Sequence, residues 1–329
     1  MPRKTNTDKK EGRGRTTERR TPRPKPKIDF TLEALDYRNV TLLRQFVTDN
    51  GRILPRKYTG LPAHYQRRMN TSERSSSGLR TPSFRMDGRS ALVTGAGRGI
   101  GLAAAHALAQ AGAHVHLVAR TLGEVEAACA DIRADGGQAT PGRLDVTDSS
   151  AVAAHVARTG PFDILVNNAG TNRPSLITDM QDADYDQVMD LNVRATMFVT
   201  REVARGMVAA GRGGSIITVS SQMGHVGGPK RALYCASKHA VEGMSKALAW
   251  ELGPHRIRVN TVCPTYIETT LTAPMLADPQ FRAFAEGGTA LGRVGRLDEV
   301  MGAVVFLASD ASTLVTGSAL MVDGGWTAR

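Results

Sequence analysis

The sequence predicts an α/β fold in which helices cover both faces of a doubly wound, seven-stranded parallel sheet. Three observations support this prediction. Short apolar runs recur between residues 91 and 322, helix-length segments separate them, and a glycine-rich turn follows the first run. Runs that are apolar throughout are typical of parallel strands buried on both faces, and right-handed crossovers then give the doubly wound order.

The predicted strands and helices alternate along most of the chain. Strands are expected at residues 91–94, 114–119, 138–144, 162–166, 215–219, 256–262 and 317–322, with the weakest signal at 138–144. The clearest helical segments are residues 99–111, 184–210, 231–252 and 298–308. We therefore expect one large domain over residues 84–329.

The N-terminal part of the chain has a different composition. Residues 1–80 hold 20 Lys and Arg against 8 Asp and Glu, whereas the rest holds 22 against 23. Residues 1–27 have almost no large apolar side chain, which predicts a disordered basic arm. In residues 28–71, the spacing of Val40, Leu43 and Val47 predicts an amphipathic helix in a small basic appendage. Residues 72–83 are rich in serine and are expected to form a linker.

Composition and motif spacing argue against several classes of protein. No apolar run approaches the roughly 20 residues that a membrane helix needs. The charged start of the chain does not resemble a secretory signal. Cys129, Cys235 and Cys263 lack the spacing of a zinc site or a disulfide framework, and the histidines show no metal-ligand spacing. We therefore expect a cytoplasmic protein without a bound metal.

The turn after the first predicted strand has the pattern of a dinucleotide-binding site. Glycines allow a tight turn there and let the backbone approach a pyrophosphate, which then binds free N–H groups at the helix start. The pattern alone is weak, but a strand before it and a helix after it strengthen the prediction. The expected contacts are Thr94, Gly95, Arg98, Gly99, Ile100 and Gly101.

The end of the second predicted strand favours NADP over NAD. An acidic residue there would accept hydrogen bonds from the ribose 2′-hydroxyl, yet the strand ends in Arg120. Arg120 and Arg98 are suited to clamp a 2′-phosphate instead. We therefore predict NADP(H), with NAD and two solvated surface arginines as the alternative interpretation.

Ser221, Tyr234 and Lys238 follow the pattern S-x12-Y-x3-K. Tyr234 and Lys238 are four residues apart, so on a helix they share one face. A neighbouring ammonium favours the phenolate, which predicts a lowered tyrosine pKa and a usable acid or base. Taken one at a time, each of these residues is more often structural, because a Tyr-Lys pair is common on surface helices and serines are common in turns.

The ordered motifs resemble the short-chain dehydrogenase/reductase family over residues 84–329. They are TGAGRGIG at 94–101, LDVTD at 144–148, NNAG at 167–170, LNV around Asn192, YCASK at 234–238 and VDGG at 322–325. The resemblance implies a Rossmann-type fold, a homotetramer and the interconversion of a carbonyl and a secondary alcohol. It makes Tyr234 the proton donor or acceptor.

The resemblance also implies roles for the other site residues. Lys238 would hold the nicotinamide ribose, Ser221 the substrate oxygen, and Asn192 a water that relays protons. The remaining cofactor contacts implied are Asp145, Val146, Asn168, Ala169, Gly170, Pro264, Ile267 and Thr269.

One departure from the family pattern lies near the expected substrate pocket. Family members usually continue the sixth strand with Pro-Gly, whereas here Thr265 follows Pro264. Residues 222–231 and a lid at 265–288 are expected to set specificity. Asn172, Arg173, Gln222 and His225 make the expected pocket polar. This polarity, and the resemblance of these loops to sugar and polyol dehydrogenases, favour a hydroxylated substrate, with a broad carbonyl or a 3-oxoacyl thioester as alternatives.

Residues 28–69 resemble the bacterial small-subunit ribosomal protein S18. The resemblance is carried by DYRNVTLLRQF at 36–46 and GRILPRKYTGL at 51–61, and the family's last basic helix is missing. The basic loop is suited to RNA phosphates. A ribosomal or RNA-binding protein would show salt-sensitive RNA association that is lost on deleting residues 1–82, whereas a fused, unfolded segment would not.

Three classes of function therefore compete. A reductase is supported by a complete catalytic set, and an RNA-binding protein by the N-terminal part only. The third class, a cofactor-binding sensor without turnover, conflicts with the intact Asn192, Ser221, Tyr234 and Lys238.

Overall fold

The computed structural model describes residues 42, 46, 61, 62, 65 and 81–328. The chain divides into two compact units, Met1–Thr81 and Pro82–Arg329. In the first unit, Leu42 lies in a helical turn and Phe46 and Leu61 are buried. The predicted basic arm, the helix through Val40, Leu43 and Val47, and most of the linker lie outside the described residues.

The second unit contains a seven-stranded sheet in which all neighbouring strands are parallel. The strand order is β3-β2-β1-β4-β5-β6-β7, which changes direction between β1 and β4. The strands are Ser90–Thr94 (β1), His114–Ala119 (β2), Gln138–Arg143 (β3), Ile164–Asn167 (β4), Gly214–Val219 (β5), Ile257–Pro264 (β6) and Ala319–Val322 (β7). The predicted doubly wound Rossmann fold is confirmed, including the weakly signalled β3.

Nine α-helices connect or flank these strands within residues 81–328. They are Gly99–Gln110 (α1), Leu122–Ala134 (α2), Ser149–Thr159 (α3), Asp182–Met189 (α4), Thr196–Ala210 (α5), Ala232–Leu252 (α6), Ala273–Leu276 (α7), Pro279–Gly287 (α8) and Leu297–Ala308 (α9). The predicted helix at 184–210 is divided into α4 and α5 by a π-helical segment, Asp190–Ala195. None of the helices within the described range is long and apolar enough to span a membrane.

Two buried apolar clusters lie on the two faces of the sheet. Because successive strand residues point to opposite faces, Ala91 and Val93 of β1 belong to one cluster and Leu92 belongs to the other. Helices α1, α2 and α9 complete the first cluster, and α3 and α5 complete the second. Burial on both faces explains why the strands are apolar throughout.

The expected lid contains α7 and α8 and is held by aromatic rings. Tyr266 contacts Phe281 and Trp326, with ring centroids 5.3 and 5.6 Å apart, and Phe284 lies 5.6 Å from Trp326. The edge-to-face geometry of these pairs is a favourable one for aromatic rings. Trp326 therefore packs against both Tyr266 and Phe284 of the expected lid.

Candidate active site

The carboxyl ends of the parallel strands lie at one edge of the sheet, and the predicted site residues lie there. Thr94 ends β1, Asn167 ends β4 and Pro264 ends β6, while Ser221 follows β5 after one residue. Ligands of open α/β sheets bind at this edge, where the strand order changes direction.

The turn between β1 and α1 requires glycine at several positions, either because of the backbone conformation or because a side chain would not fit. Gly95 and Gly99 have φ angles of +60° and +59°, a left-handed conformation that favours glycine. A Cβ atom on Gly101 would collide with the carbonyl oxygen of Gly95 and the side-chain amide of Asn168. The turn therefore keeps the close backbone approach that a bound pyrophosphate needs.

Hydrogen bonds join this turn to the segment after β4. Asn168 Nδ2 donates to the carbonyl oxygens of Thr94 and Gly95, each at 3.0 Å. Thr94 Oγ1 accepts from the backbone N–H groups of Asn168 and Ala169 at 3.0 and 3.2 Å. The two segments that would line a dinucleotide are thus fixed against each other by the chain itself.

The first turn of α1 offers unpaired N–H groups to an anion. Arg98 is the N-cap residue, its side chain makes no capping hydrogen bond, and the first turn has no acidic residue. Ile100 in the same turn packs against the apolar core. Free N–H groups and the helix dipole favour a phosphate here, so this turn fits the pyrophosphate of a dinucleotide.

Arg98 is exposed and lies 3.7 Å from Glu124 Oε1. A Cβ atom on Gly97 would be 2.8 Å from Glu124 Oε2, so this carboxylate lies directly over the glycine turn. Because the ion pair between Arg98 and Glu124 is exposed, it contributes little to the stability of the fold. Its loss on binding of a phosphate to Arg98 would therefore cost little.

Arg120 directly follows β2, one residue later than the strand end that the sequence predicted, and is exposed. Burial opposes ionisation of Asp145, but hydrogen bonds from Thr147 and the charge of Arg120 hold the pKa of Asp145 below its usual range. Val146, beside Asp145, is buried. Arg120, Asp145 and Val146 therefore form one group at the ends of β2 and β3, on the side expected to hold the adenosine.

Tyr234 and Lys238 lie one turn apart on α6, and Ser221 is beside them. The Ser221 hydroxyl is near enough to the Tyr234 hydroxyl to favour ionisation of the phenol, and it also accepts from the Met223 backbone N–H at 3.1 Å. The Lys238 ammonium lies 5.6 Å from the centre of the Tyr234 ring and donates to the carbonyl oxygen of Val219 at 2.9 Å. The chain therefore brings together the phenol, the hydroxyl and the ammonium that the sequence spacing indicated.

The protonation of Tyr234 differs from the sequence-based expectation. Burial raises the pKa of Tyr234 to about 12, and the hydrogen bond with Ser221 and the charge of Arg231 oppose this only in part. The expected lowering by Lys238 is wrong for this structure, because desolvation dominates and the ammonium is directed to a backbone carbonyl. At neutral pH the phenol holds its proton and is ready to donate it.

The segment after β6 brings the last group of predicted residues to the same edge. Pro264 and Ile267 are buried, and Thr269 lies 3.9 Å from the position of a Cβ atom on Gly99. Thr265 Oγ1 is buried and has no hydrogen-bond partner among the described residues. The start of the expected lid therefore lies beside the glycine turn and contains one buried hydroxyl without a partner among the described residues.

Two family models match the chain. The model for Enoyl-(acyl carrier protein) reductase, which belongs to the short-chain dehydrogenases/reductases, matches residues 95–327. The chain belongs to the short-chain dehydrogenase/reductase family. A second model, Ribosomal protein S18, matches residues 31–72 and confirms the resemblance of the N-terminal segment.

Similar short-chain dehydrogenases/reductases include enzymes of sugar metabolism. D-erythrulose reductase of Gallus gallus is 42% identical over 248 residues, covering 74% of this chain and 98% of that protein. Gluconate 5-dehydrogenase of Gluconobacter oxydans is 41% identical over 248 residues, covering 74% and 96%. The structure of a gluconate 5-dehydrogenase from Burkholderia cenocepacia with NADP and tartrate has a TM-score of 0.73 and 37% identity, covering 76% of this chain and 99% of that one.

In this short-chain dehydrogenase/reductase, Asn192 lies in the π-helical segment between α4 and α5. Its Oδ1 accepts from the Thr171 backbone N–H at 2.8 Å, and its Nδ2 donates to Thr171 O at 2.9 Å and Ser237 Oγ at 3.0 Å. A Cβ atom on Gly170 would lie 3.2 Å from Oδ1. The π-helical segment, a feature frequent at functional sites, therefore links the segment after β4 to the helix of Tyr234.

A polar cluster around Glu242 lies next to Lys238. The sequence spacing does not reveal it. Glu242, one turn further along α6, accepts from Thr261 Oγ1 at 3.0 Å and from Cys263 Sγ at 3.3 Å. His225 Nε2 lies 3.5 Å from the same carboxylate. Burial lowers the pKa of Lys238 to about 8, and Cys263 and Glu242 oppose this lowering. Hydrogen bonds account for the close approach of these side chains, and no metal is needed to explain it.

We expect Gly101→Ala to destabilise the protein by about 1–3 kcal/mol, because its Cβ atom would overlap the Gly95 carbonyl and the Asn168 amide. Gly123→Ala is the matched control. Gly123 lies in the first turn of α2 with open space around it, so alanine should stabilise by up to about 1 kcal/mol. Urea unfolding curves measure both effects, and equal stability of the two variants would contradict the close packing of the turn.

Proposed function

We propose that this protein interconverts a carbonyl and a secondary alcohol with NADP(H), using Asn192, Ser221, Tyr234 and Lys238 as its catalytic set. The observation that carries the proposal is the adjacency of a protonated phenol, a hydroxyl and a buried ammonium at the sheet edge that also holds the glycine turn. Proton transfer and charge stabilisation at a substrate oxygen require this combination of groups.

In the reductive direction, Tyr234 donates its proton to the carbonyl oxygen of the substrate. A bound reduced nicotinamide supplies the hydride that the carbonyl carbon accepts. Ser221 donates a hydrogen bond to the same oxygen as negative charge develops. Lys238, charged at neutral pH, stabilises the phenolate that forms on Tyr234. Asn192, held by Thr171 and Ser237, positions a water that returns a proton to the site.

NADP(H) is the proposed cofactor because both arginines at the adenosine end are exposed and the carboxyl end of β2 has no acidic residue. Arginine pairs with phosphate in a bidentate manner, whereas an acidic residue would repel it. The bound NADP of the Burkholderia cenocepacia gluconate 5-dehydrogenase supports the same choice.

A polyhydroxylated carbonyl compound of the sugar or polyol type is the proposed substrate class. The relatives named as D-erythrulose reductase and gluconate 5-dehydrogenase support it. A broad carbonyl reductase and a 3-oxoacyl thioester reductase are the alternatives. A spectrophotometric screen of NADPH oxidation over keto-sugars, simple ketones and acyl thioesters distinguishes them.

Two further proposals concern partners. RNA contact is the second candidate function, and it is favoured by the match of residues 31–72 to Ribosomal protein S18 and by the basic charge of residues 1–80. A homo-oligomer is the second proposal, and the family resemblance implies a tetramer. The exposed apolar side chains of Met197, Val208 and Trp250 on α5 and α6 support it.

Tyr234→Phe should lower kcat for carbonyl reduction by at least about 100-fold, because the variant lacks the donated proton. NADPH binding should stay unchanged, since the phenol does not hold the cofactor phosphates. Tyr185→Phe, at an exposed tyrosine on α4, is the matched control and should be fully active. An active Tyr234→Phe enzyme would exclude the assigned role of this residue.

Arg120→Ala should weaken NADPH binding by about tenfold and leave NADH binding within about twofold, because only NADPH has the 2′-phosphate. Arg98→Ala should have a similar effect. Fluorescence titration with both cofactors measures the two constants for each variant. If the wild-type enzyme binds NADH more tightly than NADPH, the cofactor assignment is overturned.

The rate of reduction should fall as pH rises through about 8, because Lys238 then loses the charge that stabilises the phenolate. The negative charge of Glu242 raises the pKa of Lys238. Glu242→Gln removes this charge and lowers that pKa further, so the fall in rate should begin at a lower pH. Glu251→Gln, exposed on the same helix, is the control. Identical pH profiles of kcat for the two variants would show that Glu242 does not act on Lys238.

A further inference from the structure

Arg231 is a buried arginine beside the reacting phenol. Its side chain is 6% exposed, and it immediately precedes α6, three residues before Tyr234. Its charge lowers the pKa of the Tyr234 phenol, against the larger effect of burial. Arg231 is therefore a buried cation at the start of the helix that carries the proposed proton donor.

The guanidinium group of Arg231 has only neutral partners among the described residues. Its Nη2 lies 3.5 Å from the sulfur of Met275, and its charge opposes the rise in the pKa of Tyr266 that burial causes. Its Nη1 is buried without a hydrogen-bond partner. The ion pairs found within residues 81–328 involve other arginines and histidines.

Other unused polar atoms lie on segments at the same edge of the sheet. Gln222 Oε1, Asn172 Oδ1 and Thr265 Oγ1 are buried and have no partner within the described part of the chain. These residues follow β5, β4 and β6 respectively, so all three belong to the sheet edge that holds Ser221 and Tyr234. Buried polar groups in folded proteins are normally hydrogen-bonded, so this cluster is matched to a ligand with several hydroxyl groups.

An unpaired buried guanidinium group calls for an anion. Leaving a buried charge without a partner is costly, and arginine binds carboxylates through two parallel hydrogen bonds. A single planar guanidinium group matches a carboxylate in both charge and shape, whereas a phosphate dianion would retain excess charge. An acyl thioester or a neutral ketose would leave Arg231 unpaired.

We propose that Arg231 binds a carboxylate on the substrate, which makes keto and hydroxy sugar acids the preferred substrates. This inference rests on the proposed function, because it places the acid's ketone at Tyr234. Hydroxyl groups of the same molecule then reach Gln222, Asn172 and Thr265. Met275 and Tyr266 cover Arg231 from the lid side, so closure over the substrate shields the new ion pair from water.

A pair of substrates tests the proposal. 5-Ketogluconate is a keto sugar acid, and L-sorbose is the neutral ketose with a hydroxymethyl group in place of the carboxylate. We expect wild-type kcat/KM for the acid to exceed that for sorbose by about 10- to 100-fold, as a charge-assisted hydrogen bond allows. Arg231→Gln should abolish this preference through KM for the acid, so that kcat/KM falls at least about tenfold more for 5-ketogluconate than for sorbose.

Controls separate charge recognition from damage to the fold. Arg231→Lys should retain part of the preference, and Arg205→Gln, at an exposed arginine on α5, should retain all of it. Thermal melting and NADPH binding report whether each variant is folded. An equal loss on both substrates in a folded Arg231→Gln enzyme would overturn the proposal, as would a wild-type preference for sorbose or for fructose 6-phosphate.

Calorimetric titration of gluconate into the NADPH complex provides a readout without turnover, because the alcohol and the cofactor are then both in the reduced form. If gluconate binds the wild-type protein at least about tenfold more tightly than Arg231→Gln, the proposal is supported. This holds even if the enzyme reduces no carbonyl compound; that result would exclude the proposed function but not the carboxylate site. Equal gluconate affinity of the two proteins overturns the carboxylate assignment and leaves the reductase function intact.

Discussion

The parallel alignment of β1, β4, β5 and β6 is the constraint on which the active site depends. Because all four strands run in one direction, their carboxyl ends meet at one edge, and the segments that follow them are neighbours although they are far apart in the chain. The hydrogen bonds between Thr94 and Asn168 fasten two of these segments together. The glycine turn and the segment after β4 therefore have fixed relative positions before a ligand binds.

Burial affects the pKa values of the groups at this edge more than neighbouring charges do. Tyr234 keeps its proton and Lys238 stays only weakly basic because both are withdrawn from water, while Glu242 supports the lysine from one turn away. A hydroxyl and an ammonium in these protonation states are suited to donate a proton and to stabilise the resulting phenolate.

The sequence was sufficient to predict the sheet, the glycine turn and the adjacency of Tyr234, Lys238 and Ser221, because strand runs, glycine spacing and helix periodicity are local signals. It could not predict the π-helical segment at Asn192, which depends on hydrogen bonds to the distant residues Thr171 and Ser237. Nor could it predict the tyrosine pKa, which depends on burial by the whole fold. The same holds for the cluster around Glu242, whose members come from α6, β6 and the segment after β5.

The aromatic contacts of Trp326 connect the lid to the last helical turn of the described chain. A Cβ atom on Gly288 would overlap the indole ring, so the lid backbone touches that ring directly. Any movement that admits substrate must therefore separate or slide these rings. The energy of a few ring contacts thus sets how readily the cleft opens, and changes near the carboxyl terminus would alter substrate entry and product escape without touching the proton-transfer groups.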